Sequence, residues 1–133
     1  MKLSVIVSIF NEEHVIRLFY DELMLYVPRE YEYEIVFVND GSTDDSQKII
    51  SEIISENNHA KSILFSRNFG HEAAMLAGID HATGDILICM DSDLQHPPAL
   101  IPEMINRFRQ GNVDVINMVR KKTQVFFQHF SIN

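Results

Sequence analysis

Short continuous apolar runs alternate with amphipathic stretches along the chain. Continuous runs rich in β-branched residues are typical of strands covered on both faces of a parallel sheet. Five strands are predicted, at residues 3–10, 33–38, 62–65, 85–90 and 113–118. Apolar residues at helical spacing predict four helices, over residues 12–26, between Gly41 and Glu56, over residues 71–82, and from Pro97 to Gly111. The alternation predicts an α/β fold, a three-layer α/β/α sandwich around a mainly parallel sheet.

The predicted helices carry apolar stripes that indicate their buried faces. In the first helix the stripe consists of Val15, Leu18, Phe19 and Leu25, with the polar Glu22 at its edge. In the second it consists of Ile49, Ile50, Ile53 and Ile54, and in the fourth of Leu100, Ile101, Met104, Ile105 and Phe108.

Length and composition narrow the class of protein. The chain has 133 residues, 46% hydrophobic and 23% charged, which suits one domain with an ordinary core and disfavours intrinsic disorder. A net charge of −8 argues against general nucleic-acid binding. The one cysteine, Cys89, lies in an apolar run and is expected to be a buried small residue. Because the sequence has neither a membrane-length apolar run nor signal-peptide features, we expect a cytoplasmic chain.

Two common nucleotide-binding patterns are missing from the sequence. A dinucleotide site of the G-x-G-x-x-G type needs glycines after the first strand, where this chain has Phe10, Asn11, Glu12 and Glu13. The five glycines do not have P-loop spacing either. The sequence therefore argues against a nicotinamide dinucleotide site and against Walker-type phosphoryl transfer.

Polar residues follow all five predicted strands. They lie at residues 11–13, 39–42, 67–68 and 91–93 and at Arg120. In open α/β sheets, ligands bind in the crevice beyond the carboxyl ends of the strands. The sequence therefore predicts a ligand site at this edge.

Asp91 and Asp93 are the most informative of these residues, since an apolar strand leads directly into both. Two neighbouring carboxylates disfavour each other's ionisation unless a cation is present. A hard divalent ion uses one or two such oxygens together with water and ligand phosphate. One acid can hold the metal and the other a ribose hydroxyl, and Gln95 offers a further oxygen. The alternative is an ordinary acidic loop.

Other polar residues near the same edge have both a binding and a structural interpretation. Asp40 can accept a hydrogen bond from a base imide or a ribose hydroxyl, or it can form a turn with Gly41. Arg67 and Arg120 can each clamp a phosphate, or be solvated surface charges. His71, near a helix start, can meet an anion. The remaining histidines share no ligand spacing, so zinc is not expected.

Five motifs in this order resemble glycosyltransferase family 2, and most closely its polyprenyl-phosphate glucosyltransferases and dolichyl-phosphate mannosyltransferases. They are IFNEE at residues 9–13, VNDGS at 38–42, SRNFG at 66–70, HATGD at 81–85 and DSDLQ at 91–95. The resemblance covers about residues 3–122. It implies a GT-A, Rossmann-like fold and inverting transfer of a hexose from a nucleotide diphosphate sugar, UDP-glucose or alternatively GDP-mannose, to a polyprenyl phosphate at the cytoplasmic face of a membrane.

The resemblance also implies roles for individual residues. Phe10 and Glu12 would line the nucleotide pocket, Asp40 would hold the base, and Arg120 would reach the diphosphate. Asp91 would face the ribose or bridge to the metal, whereas Asp93 and Gln95 would bind Mg²⁺ or Mn²⁺. Asp91 and Asp93 are thus the expected catalytic pair.

The chain departs from the family pattern at four positions. Ser8 stands where a proline is usual, Asn39 replaces an acid, His71 replaces a lysine and His96 replaces an aspartate. None of these changes removes an expected metal ligand.

Residues 1–122 are expected to form a donor-binding domain, which can assemble as a homo-oligomer. Residues 123–133 are expected to form an irregular tail of a truncated chain. Two alternatives stay open. The chain can be a catalytically incomplete module that binds nucleotide or another protein, or a doubly wound regulatory domain whose acids only form turns.

Overall fold

A computed structural model of the chain describes residues 1–93, 97–111, 115–121 and 124–130, with side chains described up to residue 111. The strands are β1 (Lys2–Ile9), β2 (Glu32–Asn39), β3 (Ala60–Leu64), β4 (Ile86–Asp91), β5 (Val115–Lys121) and β6 (Gln124–Phe130). The helices are α1 (Ile16–Tyr26), α2 (Ser46–Glu56), α3 (His71–His81) and α4 (Ile101–Gln110), and a 3₁₀ turn at Pro98–Leu100 leads into α4.

The strands form one sheet in the order β3-β2-β1-β4-β5-β6. The first five strands are mutually parallel, and β6 is antiparallel to β5. The predicted α/β fold with a mainly parallel sheet is therefore confirmed. The strand order reverses between β1 and β4, and this is where open sheets of this kind form a ligand crevice.

Helices cover both faces of the sheet. Alternate residues of β1, such as Val5 and Val7, pack with α1, α2 and α4 in the larger core cluster. Ile6 and Cys89 point to the other face, where α3 packs. Cys89 is buried as expected, and burial, assisted by the charge of Asp91, raises the pKa of its thiol to about 12.

Helix α1 buries a stripe that shares only Phe19 with the predicted one. Its buried residues are Ile16, Phe19 and Leu23, whereas Leu18 and Leu25 are 54% and 73% exposed. Both stripes are apolar with helical spacing, so periodicity does not decide between them. Packing against the sheet decides between them. The helix begins at Ile16, after a turn in which the amides of residues 15 and 16 donate to the Glu12 carbonyl.

The predicted stripes of α2 and α4 are confirmed. Their central residues Ile50, Ile53, Ile101, Met104 and Ile105 are buried, and the flanking apolar residues pack partly buried against them.

The expectation of an irregular tail after residue 122 is wrong for residues 124–130, which form β6. They pair along β5 in a register that begins with Lys121 opposite Gln124. The short run of Val125, Phe126 and Phe127 showed no period over its length, but its β-branched and aromatic residues have high strand propensity. Strand β5, which ends at Lys121, supplies hydrogen-bond partners for the backbone groups of β6.

Candidate functional site

The loops that follow β1 and β2 are joined by a set of hydrogen bonds at the carboxyl edge of the sheet. The amides of Asn11, Glu12 and Glu13 donate to side chains of the second loop, and two amides of that loop donate back to side chains of the first. The bonds join Asn11 N to Ser42 Oγ (2.9 Å), Glu12 N to Ser46 Oγ (3.0 Å), Glu13 N to Asp44 Oδ2 (3.2 Å), Thr43 N to Asn11 Oδ1 (2.8 Å) and Asp45 N to Glu13 Oε2 (2.9 Å). The two loops are thus rigidly connected before any ligand binds.

Gly41 brings the loop after β2 against the loop after β3. Its φ of +73° lies in the left-handed region that favours glycine. A Cβ at this position would lie 2.2 Å from the Arg67 carbonyl carbon and 2.5 Å from the Asn68 nitrogen. The close backbone approach therefore requires glycine at position 41.

Asp40 connects the end of β2 to the start of α3. It is 4% exposed, and its carboxylate accepts hydrogen bonds from the Phe69 amide (Oδ1, 2.7 Å) and the Gly70 amide (Oδ2, 3.1 Å). These hydrogen bonds hold the loop before α3. The structural interpretation of Asp40 from the sequence was a turn with Gly41, so the structure gives this side chain a different partner. Its predicted contact with a nucleobase stays a prediction.

Asp91 lies at the end of β4, directly beside the end of β1. The Ser8 hydroxyl donates to Asp91 Oδ1 over 2.9 Å, and His71 Nε2 lies 2.7 Å from the same oxygen. The expectation that His71 meets an anion is met within the chain, by a carboxylate. Ser8 and His71 are also two of the four positions at which the chain departs from the family pattern, which is the signal in the sequence that pointed to them.

Glu12 lies within the electrostatic field of several carboxylates. Burial raises the pKa of Glu12, and the charges of Asp93, Asp44 and Asp91 raise it further. The predicted acids from the ends of β1 and β4 are therefore close enough to repel one another. A cation at this place would relieve that repulsion.

The carboxylates of the described residues would hold a divalent cation only together with a ligand. Among them, the structure forms no cluster of three or more histidine, cysteine, aspartate or glutamate side chains at metal-binding geometry. Mg²⁺ in nucleotide sites needs only one or two carboxylates, because phosphate and water complete its coordination. Asp91 and Asp93 are the carboxylates that the family motif implies for this purpose, whereas Gln95 lies outside the described residues.

A cleft of about 260 Å³ opens at this edge, beside the switch point of the sheet. It is lined by Ser8, Ile9, Phe10, Asp40, Asn68, Gly70 and His71. Phe10, one of these lining residues, is 44% exposed.

The structure describes the side chain of Arg67 but not that of Arg120, the two arginines predicted to clamp a phosphate. Arg67 is exposed, and its guanidinium carbon lies 4.5 Å from the centre of the Phe69 ring. Arg120 belongs to β5, but its side chain lies outside the described part of the structure. Its role toward a diphosphate stays a prediction.

Comparison with known proteins identifies the family. Residues 4–131 match the family described as Glycosyl transferase family 2. The chain belongs to this family. Its relatives include the prophage bactoprenol glucosyl transferase homolog of Escherichia coli K12, 44% identical over 84% of this chain, and the bactoprenol glucosyl transferase of Shigella phage SfX, 43% identical over 84% of this chain. The chain spans 37% of the length of either relative.

Solved structures of similar proteins share the fold of this family 2 chain. Staphylococcus aureus TarS 1–349 in complex with UDP-GlcNAc superposes with a TM-score of 0.68 and 25% identity, over 84% of this chain and 32% of TarS. The mannosyltransferase PcManGT of Pyrobaculum calidifontis, in complex with GDP-Man and Mn²⁺, gives a TM-score of 0.63 and 26% identity, over 68% and 27%. These neighbours are GT-A type glycosyltransferases, which confirms the expected fold class.

Among the described helices of this family 2 chain, none is both long and apolar enough to cross a membrane.

Proposed function

We propose that this family 2 chain forms the donor-binding domain of an inverting hexosyltransferase. The donor is a nucleotide diphosphate sugar, UDP-glucose in the first place and GDP-mannose as the alternative. The acceptor is a polyprenyl phosphate at the cytoplasmic face of a membrane. Two relatives named for bactoprenol glucosyl transfer support this choice of sugar and acceptor. Neighbours in complex with UDP-GlcNAc and with GDP-Man support the class of donor.

The observation that carries the proposal is the meeting of three strand ends and the start of α3 around one cleft. Residues from the ends of β1, β2 and β4 and from the start of α3 line it or lie beside it. The three acids Asp40, Asp91 and Asp93 come from positions up to 53 residues apart. Acids that merely form turns in a regulatory domain have no reason to gather at the switch-point edge of the sheet.

Each residue has a proposed part in binding the donor. Phe10 offers its exposed ring to the base, and Asp40 accepts a hydrogen bond from it. Glu12 lines the nucleotide pocket, Asp91 faces the ribose, and Arg120 reaches the diphosphate. These assignments follow the family motifs. Phe10 and Asp40 are among the residues that line the cleft, and Asp91 contacts two others, Ser8 and His71.

Asp93 is the residue that we propose to hold Mg²⁺ or Mn²⁺, with Gln95 beside it and Asp91 as a bridging group. A cation held there would neutralise negative charge on the departing diphosphate. Burial and the charges of Asp93, Asp44 and Asp91 raise the pKa of Glu12, and a nearby cation would offset the repulsion among these acids.

The proposed transfer forms one bond and breaks another at the anomeric carbon. An oxygen of the lipid phosphate attacks C1 from the face opposite the diphosphate, and the C1–O bond breaks with its electron pair leaving on the nucleoside diphosphate. A phosphate monoester has a second pKa of about 6, so it is largely ionised at neutral pH. The acceptor therefore needs no general base from the chain, in contrast to a sugar hydroxyl.

Isothermal titration tests the donor site. We expect UDP and UDP-glucose to bind in the presence of Mn²⁺ and more weakly in its absence, with GDP and GDP-mannose as comparison ligands. Asp93→Ala should remove the Mn²⁺ dependence. Asp80→Ala, which removes an exposed aspartate near the end of α3, is the matched control and should bind as the wild type does.

The outcomes separate the open alternatives. Metal-dependent binding followed by transfer of labelled glucose from UDP-glucose to polyprenyl phosphate in detergent micelles would support the complete proposal. Binding without transfer would indicate a nucleotide-binding module. A folded protein that binds none of the four ligands would refute the donor site.

A further inference from the structure

One oxygen of Asp91 meets two side chains from different parts of the fold. The Ser8 hydroxyl, near the end of β1, and the His71 ring, at the first residue of α3, both contact Oδ1. The contacts span 83 and 20 residues of sequence, so only the tertiary fold brings them together. Ser8 and His71 also line the cleft.

The chemistry of the atoms decides the direction of the bond from His71. An ionised carboxylate can only accept hydrogen bonds, so the proton in this hydrogen bond belongs to Nε2 of His71. This holds for the neutral Nε2–H tautomer and for the imidazolium alike. Two donors on one oxygen, approaching from β1 and from α3, oppose rotation of the carboxylate about its Cβ–Cγ bond.

The position of His71 is itself set by a buried group. The carboxylate of Asp40, 4% exposed, accepts hydrogen bonds from the amides of Phe69 and Gly70, the two residues before His71. Gly70, with a φ of +107°, then turns the chain into α3. The ring of His71 therefore starts from a backbone anchored in the core, although the side chain itself is 54% exposed.

We infer that His71 is a positioning residue for Asp91, and that it holds this carboxylate, together with Ser8, in the orientation that the nucleotide sugar meets. The inference rests on the proposed function. An acid oriented in advance loses less conformational entropy when a ligand binds, so the two bonds raise affinity without touching the ligand.

Imidazole ¹⁵N NMR of the ligand-free protein tests the hydrogen bond. We expect Asp91→Ala to shift the Nε2 resonance of His71 and to leave that of His81, at the other end of α3, unchanged. An unchanged His71 resonance would overturn the inference, whatever the protein binds.

Titration of UDP-glucose with Mn²⁺ tests the positioning role. Loss of one hydrogen bond to a charged group predicts about tenfold weaker binding by His71→Ala. His71→Gln should bind within about threefold of wild type, because the glutamine Nε2 can donate the same bond. Ser8→Ala should weaken binding in the same direction, and His81→Gln serves as the control. Urea unfolding of each variant checks that the fold is kept.

Each outcome decides between the two proposals. Wild-type binding that is unaffected by His71→Ala would overturn the positioning role and leave the donor site standing. Equal losses in His71→Ala and His71→Gln would also overturn it, because they would show that the donated proton is not what matters. If the wild-type protein does not bind, the proposed function fails and this inference fails with it.

Discussion

A buried carboxylate at the edge opposite the cleft should make the stability of the chain strongly dependent on pH. Glu34 is 6% exposed and lies at the amino end of β2. Its Oε2 accepts hydrogen bonds from Ser4 Oγ (2.5 Å) and from Thr83 N (2.6 Å) and Oγ1 (3.1 Å), and its Oε1 lies 2.9 Å from Lys61 Nζ. The network joins β1, β2, β3 and the loop before β4.

The magnitude follows from the pKa of Glu34. Burial alone raises this pKa, but the hydrogen bonds from Ser4, Thr83 and Lys61 outweigh burial and lower it from 4.5 to about 2. At about 1.4 kcal/mol for each tenfold change in proton affinity, this difference corresponds to about 3 kcal/mol of folding free energy. Because the pKa is lower in the folded state, that stability is fully present above pH 4.5 and is lost as the pH falls from 4.5 toward 2.

Urea unfolding of wild type and Glu34→Gln between pH 7 and pH 3 measures this contribution. We expect the variant to be less stable at pH 7 by about 3 kcal/mol, and the difference to shrink as the pH falls, since protonated glutamate resembles glutamine. Glu32→Gln, at an exposed position of the same strand, is the matched control and should run parallel to wild type. A difference between wild type and Glu34→Gln that does not change with pH would refute the reasoning.

Three further predictions concern the loops, the acids and the thiol. Gly41→Ala should destabilise the protein by more than about 2 kcal/mol in urea unfolding, because φ is positive and the loop backbone of residues 67–68 blocks a Cβ; Gly111→Ala, with open space around it, should cost much less, and equal losses would contradict this. Glu12→Gln should raise the unfolding free energy at pH 7, because the raised pKa of Glu12 shows that its charge is unfavourable in the fold; the gain should decline as the pH falls through that pKa and vanish below the ordinary value of 4.5, and a loss of stability at pH 7 would contradict this. Cys89 should react with a thiol reagent such as DTNB only on unfolding, since the residue is 2% exposed and burial raises the pKa of its thiol to about 12; rapid reaction in the native protein would contradict the placement.

The sequence alone was sufficient to predict the succession of strands and helices. Hydrophobic periodicity is a local property, and short continuous apolar runs separated by amphipathic stretches permit few arrangements other than a covered parallel sheet. The same reasoning placed the polar residues at one edge, because parallel strands all end on the same side. Predicting that Asp40, Asp91 and Asp93 share an edge therefore required no knowledge of strand order.

Local patterns failed where two of them were equally good. In α1, the stripe with Leu18 and Leu25 and the stripe with Ile16 and Leu23 are both apolar, and only packing against the sheet buries the second. Strand β6 was missed because seven residues show little periodicity by themselves, and pairing with β5 decides their conformation.

The contacts that organise the site were determined by the tertiary structure. Ser8 and Asp91 are 83 residues apart, and the order β2-β1-β4 alone makes them neighbours. Asp40 reaches the amides before α3 because Gly41 allows one loop to lie against another. Sequence determines which chemical groups reach the edge of the sheet, since that depends on residues near in the chain. Which of those groups touch depends on strand order and loop packing, since both arise from interactions between residues that are distant in sequence.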